Sequence, residues 1–266
     1  MIIDFHTHIF PDKIVDAAMK KMMEMSQLTP ALDGREKSLI ESMERSGVDM
    51  SIVLPVATNP LKCDSLNQYA ASINEKYKEK KHSLLCFAGV HPYAPDLEDL
   101  FKRIVGMGFK GIKLHPDYQG FFFDDPKCKK TIELAEKNNL VTVVHSGLDY
   151  GYVTEIRCTP QRILDVARDL KPKRLVMAHL GANSMWYDVE KTICGLGLYF
   201  DTAFINPRIS DEQLVRIIRA NGADKILFAT DSPWNDQKKD IDFIERQNIS
   251  TEEKSMIFSK NALNLI

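Results

Sequence analysis

Ile2-Ile3-Asp4-Phe5-His6-Thr7-His8 is an apolar segment that ends in two histidines separated by one residue. Its β-branched and aromatic residues predict a strand, and side chains in a strand alternate between its two faces. We therefore expect Asp4, His6 and His8 to lie on one face of the strand. Two imidazoles on one face at a strand end are a potential pair of metal ligands. An H-x-H motif alone also fits two polar residues where a strand leaves a sheet.

Seven further apolar segments follow, each separated from the next by a segment with helical signals. Asp125-Pro126 and Thr159-Pro160 are typical helix starts, with an N-cap residue before a proline at the first helical position. Continuous runs of Val, Ile, Leu and Phe are expected in a parallel sheet that is buried on both faces. Eight strand–helix units in 266 residues predict a single-domain (β/α)8 barrel over residues 1–266. The predicted strands after the first are residues 50–55, 84–90, 111–115, 140–145, 174–179, 198–201 and 226–231.

A doubly wound open sheet is the alternative fold, but no glycine-rich dinucleotide loop follows the first strand. The composition, 44% hydrophobic and 27% charged with a formal net charge of -2, is that of a soluble globular protein and gives no reason to expect a nucleic-acid partner. Five cysteines without a C-x-x-C motif indicate free thiols in a reducing compartment. With no signal peptide or membrane-spanning segment, we expect a cytoplasmic protein without a membrane partner. These features are compatible with either a monomer or a homodimer.

Histidines are concentrated at one position in the predicted fold. Six of the seven fall at or just after the C-terminal end of a predicted strand: His6, His8, His91, His115, His145 and His179. Asp231 ends the eighth strand, where an unpaired carboxylate among apolar residues would be unfavourable. Since the active site of a (β/α)8 barrel lies at this end of its strands, we expect these residues to converge there. Weaker candidates on the same loops are Asn183, Trp186, Tyr150, Asp201 and Trp234.

Five motifs lie at the ends of predicted strands: D-x-H-x-H (residues 4–8), G-I-K-L-H-P (111–116), V-V-H-S-G (143–147), A-H-L-G (178–181) and A-T-D-S-P-W (229–234). As a set they resemble the amidohydrolase superfamily, specifically its amidohydrolase-2 branch, over almost the whole predicted barrel. The resemblance implies that His6, His8, His145 and Asp231 bind metal. It also implies that His179 is an active-site histidine near the metal. The branch contains hydrolases as well as non-oxidative decarboxylases and hydratases, so both reaction classes stay open.

The implied ligands, three imidazoles and one carboxylate, suit one divalent ion, with Zn(II) expected first and Mn(II) or Fe(II) next. Such an ion lowers the pKa of bound water from about 15.7 towards about 7. We therefore predict a hydrolase of a small amide, ester or lactone that carries a carboxylate. Asp231 would accept the proton of the attacking water, and His179 would polarise the carbonyl or protonate the leaving group. A decarboxylase or hydratase that uses the same metal is the alternative.

Four further residues are predicted to bind the small-molecule substrate. Lys113 and His115 are two apart on one strand and share a face, and a lysine facing the barrel needs an anionic partner such as a substrate carboxylate. A carboxylated Lys113 bridging two ions is not excluded, but the similarity to mononuclear members favours one ion. Arg157 could bind a carboxylate, although a loop arginine is commonly solvated.

His91, the fourth, lies in G-V-H-P, a motif also seen in TatD-like nucleases of the superfamily. The acidic residue that those nucleases carry on strand four is replaced here by Lys113 and His115. A phosphodiesterase is therefore a less favoured prediction. A purely structural metal site is also not favoured, because structural zinc is usually closed off by four protein ligands without spare histidines nearby.

Overall fold

A computed structural model describes residues 1–266 and contains nine parallel strands and twelve α-helices. The strands are β1 (Ile3–Thr7), β2 (Met50–Val53), β3 (Ser83–Cys86), β4 (Ala88–Gly89), β5 (Gly111–Leu114), β6 (Val141–Val144), β7 (Leu175–Met177), β8 (Tyr199–Asp201) and β9 (Ile226–Leu227). The helices are α1 (Val15–Ser26), α2 (Glu36–Ser46), α3 (Cys63–Tyr77), α4 (Leu97–Gly106), α5 (Pro116–Gln119), α6 (Pro126–Lys137), α7 (Pro160–Leu170), α8 (Trp186–Thr192), α9 (Asp211–Asn221), α10 (Gln237–Glu245), α11 (Thr251–Ser255) and α12 (Asn261–Leu265).

All eight predicted strands are present, but the third is divided. Residues 84–90 fall into β3, which pairs with β2, and β4, which pairs with β5. Phe87 separates the two, and its side chain is fully buried against Phe5 with ring centroids 5.8 Å apart. A sequence pattern cannot show this break, because both halves of the segment are equally apolar.

The strands follow the predicted (β/α)8 order, although their ladders do not close into one continuous sheet. β1, β2 and β3 form one sheet and β4 to β9 form a second. The first sheet continues into the second through the chain at Phe87. On the other side, backbone N–H groups of Phe5 and Asp231 donate to the carbonyls of Phe228 and His6, each at 2.8 Å. This seam between β1 and the segment after β9 brings the first and last strands together.

A β-bulge in β1 corrects the prediction that Asp4 shares a face with His6. The pairing of β1 with β2 shifts by one residue between Asp4 and Thr7, so the strict alternation is broken. Ile3 and Phe5 belong to a buried cluster that also includes Val141 and Val143 of β6, whereas His6 contacts the functional groups. Asp4 instead accepts hydrogen bonds from Thr230 and Gln237 at the seam.

The helices begin largely where their capping residues predict. Asp125 and Thr159 accept backbone N–H bonds from Lys127 and Arg162 at the starts of α6 and α7. Ser250 and Glu253 form a complete capping box at α11. A second cluster of 53 buried hydrophobic residues fills the layer between strands and helices. No helix combines the length and the hydropathy needed to cross a membrane.

Candidate metal centre

Three donor groups converge at the seam, from β1, the residue after it, and the segment after β9. The Nε2 atoms of His6 and His8 lie 3.3 and 3.1 Å from Oδ1 of Asp231. Asp231 has a left-handed backbone with φ of 65°, which directs its carboxylate towards the histidines. Asp4 holds this turn by accepting bonds from the backbone N–H and the hydroxyl of the preceding Thr230. The three donors fit a 2-His-1-carboxylate metal site.

The hydrogen bonds of the two imidazoles show why a cation fits between these groups. Nδ1 of His8 lies 2.9 Å from the carbonyl of Leu54, which can only accept, so this nitrogen carries the hydrogen. Nδ1 of His6 likewise donates to the carboxylate of Asp201 at 2.9 Å. In the neutral rings both Nε2 atoms therefore present lone pairs to the Asp231 oxygen. Nζ of Lys113 contacts the His6 lone pair, and a divalent metal ion between the three acceptors would satisfy all of them together.

Burial keeps His6 in the neutral form that is able to bind a metal ion. The pKa of His6 lies well below its usual value because the ring is removed from water, and the charge of Lys113 lowers it further. Asp201 is fully buried and also accepts the backbone N–H of His179. One carboxylate thus orients the His6 ring and the chain at His179, as carboxylates beside metal-bound histidines commonly do.

Lys113 lies at the base of this site, as its position on the strand predicts. Its Nζ is 3.0 Å from Nε2 of His6, and the residue is 1% exposed. Burial lowers the pKa of Lys113 to about 8, although Asp201 and Asp231 act in the opposite direction. The one hydrogen bond of its Nζ is to His6, and the side chain forms no ion pair. A buried cation without a direct anionic partner is suited to an anionic ligand.

His145 and His115 form a second group with Asp149 beside the first. Their rings are stacked with centroids 4.0 Å apart, and the Nε2 atoms of His115 and His145 lie 3.4 and 3.8 Å from Oδ2 of Asp149. Nδ1 of His145 lies 2.9 Å from Nε2 of His179, whose own Nδ1 donates to the carbonyl of Ala203. His145 therefore contacts His179, and its Nε2 faces the second group.

Gly147 allows the loops after β6 and β7 to approach closely. Its φ is 81°, and a Cβ on this residue would lie 2.2 Å from the backbone nitrogen of Asn183. The backbone N–H of Asn183 donates to Ser146, and the N–H of Leu148 donates back to Asn183. This contact holds His145 and His179, which precede the two loops, next to each other.

The structure brings most of the predicted site residues together. His6, His8, Asp231 and Lys113 form one group, and His179 links it to His145 and His115. His91 is buried, but its hydrogen bond is with the backbone N–H of Tyr93 in its own turn. Arg157 pairs with Glu155 at 3.1 Å and has no hydrogen bond to the histidines. The roles assigned to these residues remain predictions.

Three carboxylates lie against the histidines of the site, although the sequence pattern predicts a functional role for them only weakly or not at all. Asp201 was only a weak candidate, although it ends a predicted strand. Asp149 lies four residues after His145, and Asp117 directly follows His115-Pro116. Neither residue was predicted to have a functional role. Burial raises the pKa of Asp117 to about 7, with Asp149 adding to the effect. The Asp117 carboxylate has no hydrogen bond from another side chain, and the backbone N–H groups of Arg157 and of Asp117 itself act to lower its pKa.

Residues 3–266 match the profile of the amidohydrolase family. The chain belongs to this family. The membership confirms the resemblance carried by the five motifs. No curated protein sequence matches the chain. Among amidohydrolases, metal-dependent chemistry is expected, and the His6, His8 and Asp231 geometry supplies suitable donors.

Solved structures share the fold at low sequence identity. The chain is similar to 2,6-dihydroxybenzoate decarboxylase from Rhizobium, with 16% identity, a TM-score of 0.70 and coverage of 99% of this chain and 98% of that chain. It is similar to 5-carboxyvanillate decarboxylase from Novosphingobium aromaticivorans in complex with manganese, with 13% identity, a TM-score of 0.73 and coverage of 100% of this chain and 95% of that chain. It is also similar to an uncharacterized TIM-barrel protein from Bordetella bronchiseptica, with 15% identity, a TM-score of 0.77 and coverage of 99% of this chain and 97% of that chain. These likenesses confirm the (β/α)8 fold.

Proposed function

We propose that this amidohydrolase-family protein is a metal-dependent, non-oxidative decarboxylase of a small aromatic carboxylic acid. The observation that carries the proposal is the buried Lys113, a cation without a direct ion pair beside the metal donors. It supports a substrate that carries a carboxylate. The sequence alone favoured hydrolysis, but similar structures include two decarboxylases of aromatic acids, and these support the alternative.

The side chains would divide the work as follows. His6, His8 and Asp231 hold the ion, which when bound supplies Lewis-acid charge that orients and polarises the substrate. Lys113 binds the substrate carboxylate from the base of the site. The carbon–carbon bond to this carboxylate breaks, CO2 leaves, and the electron pair remains on the ring carbon. That carbon takes a proton that comes from water or from a hydroxyl group of the substrate, and the second oxygen of Asp231 would relay it, because Oδ1 faces the histidines.

The proposal extends to the identity of the metal and to its fourth ligand. We propose Mn(II) for the first tests, because one similar decarboxylase is complexed with manganese, with Zn(II) as the comparison. His145 as a fourth ligand of the same ion remains a prediction; its Nε2 lies 3.8 Å from Oδ2 of Asp149. One small-molecule substrate and no nucleic acid are proposed as binding partners.

The decisive experiment follows the carboxyl carbon. Protein loaded with Mn(II) is incubated with 2,6-dihydroxybenzoate, 5-carboxyvanillate and related hydroxybenzoates labelled with ¹³C in the carboxyl group, and release of labelled CO2 or bicarbonate is measured by NMR. A panel of amides, esters and lactones is assayed in parallel by acid release. Release of labelled carbon, abolished by His8→Ala, supports the proposal. Turnover confined to the amide, ester and lactone panel would restore the hydrolase.

A further inference from the structure

Arg208 lies on the loop after β8 and is not used by the proposed reaction. Its Nη1 donates to the backbone carbonyls of Phe204 and Asn206, at 3.1 and 3.0 Å. The half-buried guanidinium forms no ion pair with a carboxylate of the chain, and its Nε and Nη2 have no protein partner. An arginine that is fixed in place but keeps part of its planar fork free is suited to a carboxylate ligand.

Aromatic rings hold this guanidinium beside the histidines of the site. The guanidinium carbon of Arg208 lies 3.4 Å from the centroid of the Phe204 ring and 5.9 Å from that of the Tyr150 ring. The Phe204 ring is in turn 6.4 Å from the ring of His179. Arg208 and His179 therefore contact the same aromatic ring. The guanidinium carbon is no farther from the His179 ring than these two separations through Phe204 combined.

The backbone at Phe204 is strained in this arrangement. Its φ is 62°, in the left-handed region that a bulky aromatic residue rarely adopts. The Arg208 bond to the Phe204 carbonyl and the contact of the Phe204 ring with Tyr150, centroids 5.9 Å apart, stabilise it. Strained residues of this kind concentrate at ligand sites, where surrounding contacts compensate for the strain. The preceding Ala203 carbonyl accepts Nδ1 of His179, so the same loop positions Arg208 and His179.

We propose that Arg208 binds a second carboxylate of the substrate, so that the substrate class is an aromatic dicarboxylic acid. The inference rests on the proposed decarboxylase function, in which Lys113 binds the carboxylate that leaves. Lys113 lies at the base of the site and Arg208 on a loop beyond the strand ends, and neither has an anionic partner. Two unpaired cations match two carboxylates on one ring. The rings of Phe204 and Tyr150 would contact the aromatic ring that joins them.

The binding of three aromatic acids tests this inference without turnover. Benzoate carries one carboxylate, whereas isophthalate and terephthalate carry a second one on the same ring. Each acid is titrated by calorimetry into Mn(II)-loaded full-length protein. We expect Arg208→Gln to weaken binding of the tighter dicarboxylate by about 10–150-fold, the effect of losing a hydrogen bond to a charged group, and to leave benzoate binding unchanged. Lys113→Met should weaken the binding of all three acids.

A matched control separates a carboxylate contact from a structural role. Arg216→Gln removes an exposed arginine of α9 that pairs with Glu190, and it should leave the binding of all three acids unchanged. If Arg208 only holds the loop, Arg208→Gln will weaken all three acids alike, and that result would overturn the inference. So would a dicarboxylate that binds equally well to the wild type and to Arg208→Gln.

The outcome also distinguishes this inference from the proposed reaction. A preference for the dicarboxylate that depends on Arg208, without release of labelled CO2 from any aromatic acid, would refute decarboxylation and support the dicarboxylate site. Release of labelled CO2 without any effect of Arg208→Gln on dicarboxylate binding would do the reverse. If none of the three acids binds to the wild type, both proposals are wrong.

Discussion

The orientation of each active-site imidazole is decided by the group that its Nδ1 contacts. Nδ1 of His8 donates to a backbone carbonyl, and Nδ1 of His6 donates to the buried Asp201. In both neutral rings Nε2 therefore carries the lone pair. The histidines themselves were predictable from their position at strand ends. Their tautomers were not, because the contact groups at Leu54 and Asp201 come from distant parts of the chain.

Replacing Asp231 by asparagine separates metal binding from proton transfer. The amide oxygen can still face His6 and His8, but an amide cannot carry the proton. We expect Asp231→Asn to retain part of its metal and to lose about 10²–10⁴-fold in kcat. Metal content and rate are measured on the same preparation, with Asp188→Asn as the surface control. Full activity in Asp231→Asn would contradict the assigned role.

Lys113→Met tests the binding of a carboxylate at the base of the site. Methionine has a similar length but no charge, so the barrel should remain packed and the Tm should not fall. Losing a hydrogen bond to a charged group, about 1.5–3 kcal/mol, should weaken benzoate binding by about 10–150-fold. Binding of benzoate and of uncharged benzamide is compared by calorimetry. Equal weakening for both compounds would show that Lys113 has another purpose.

At the level of elements, helix boundaries were the most predictable feature and strand faces the least. Capping residues such as Asp125 and Ser250 act within a few residues of the helix they begin, so the sequence reveals them. The break at Phe87 and the bulge in β1 depend on pairing between strands. A bulge inserts one unpaired residue and reverses the alternation beyond it, which is why Asp4 and His6 do not share a face.

Asp240, at the start of α10, couples stability to pH. It is buried and accepts bonds from Asn206 and Asn235, yet burial raises the pKa of its carboxyl group to about 7. Folding thus favours its protonated form. The stability that this group contributes is complete below about pH 4 and is lost as the pH rises through about 7.

The variant Asp240→Asn cannot ionise and should lack this dependence. Its unfolding free energy relative to the wild type should increase by on the order of 2–4 kcal/mol between pH 4.5 and 7.5. Urea unfolding of both proteins, without metal, measures the difference. A difference that is constant over this range would show that Asp240 is ionised throughout.

At the scale of the whole molecule, the eight-fold alternation of apolar segments was sufficient to predict the barrel. The division of its ladders into two sheets was not predictable, because it reflects local spacing between strands. The contact between His145 and His179 likewise depends on how the loops after β6 and β7 pack at Gly147. Such loop packing leaves no periodic signal in a single sequence.

The charge of the whole molecule predicts weak interaction with nucleic acid. With a formal net charge of -2, we expect no appreciable binding to duplex DNA at physiological salt. Fluorescence anisotropy with a labelled duplex, from low to physiological salt, measures this. Binding that persists at physiological salt, or DNA cleavage that requires metal, would favour the phosphodiesterase alternative.

The seam has a consequence for how the protein is made. Two donors of the proposed metal site are residues 6 and 8, and the third is residue 231, more than four-fifths of the way along the 266-residue chain. During synthesis on the ribosome the histidines emerge first and wait for most of the polypeptide to be translated. An ion captured early has only two imidazoles to hold it. Stable metal loading therefore belongs to the completed chain, after the last strand has reached the first.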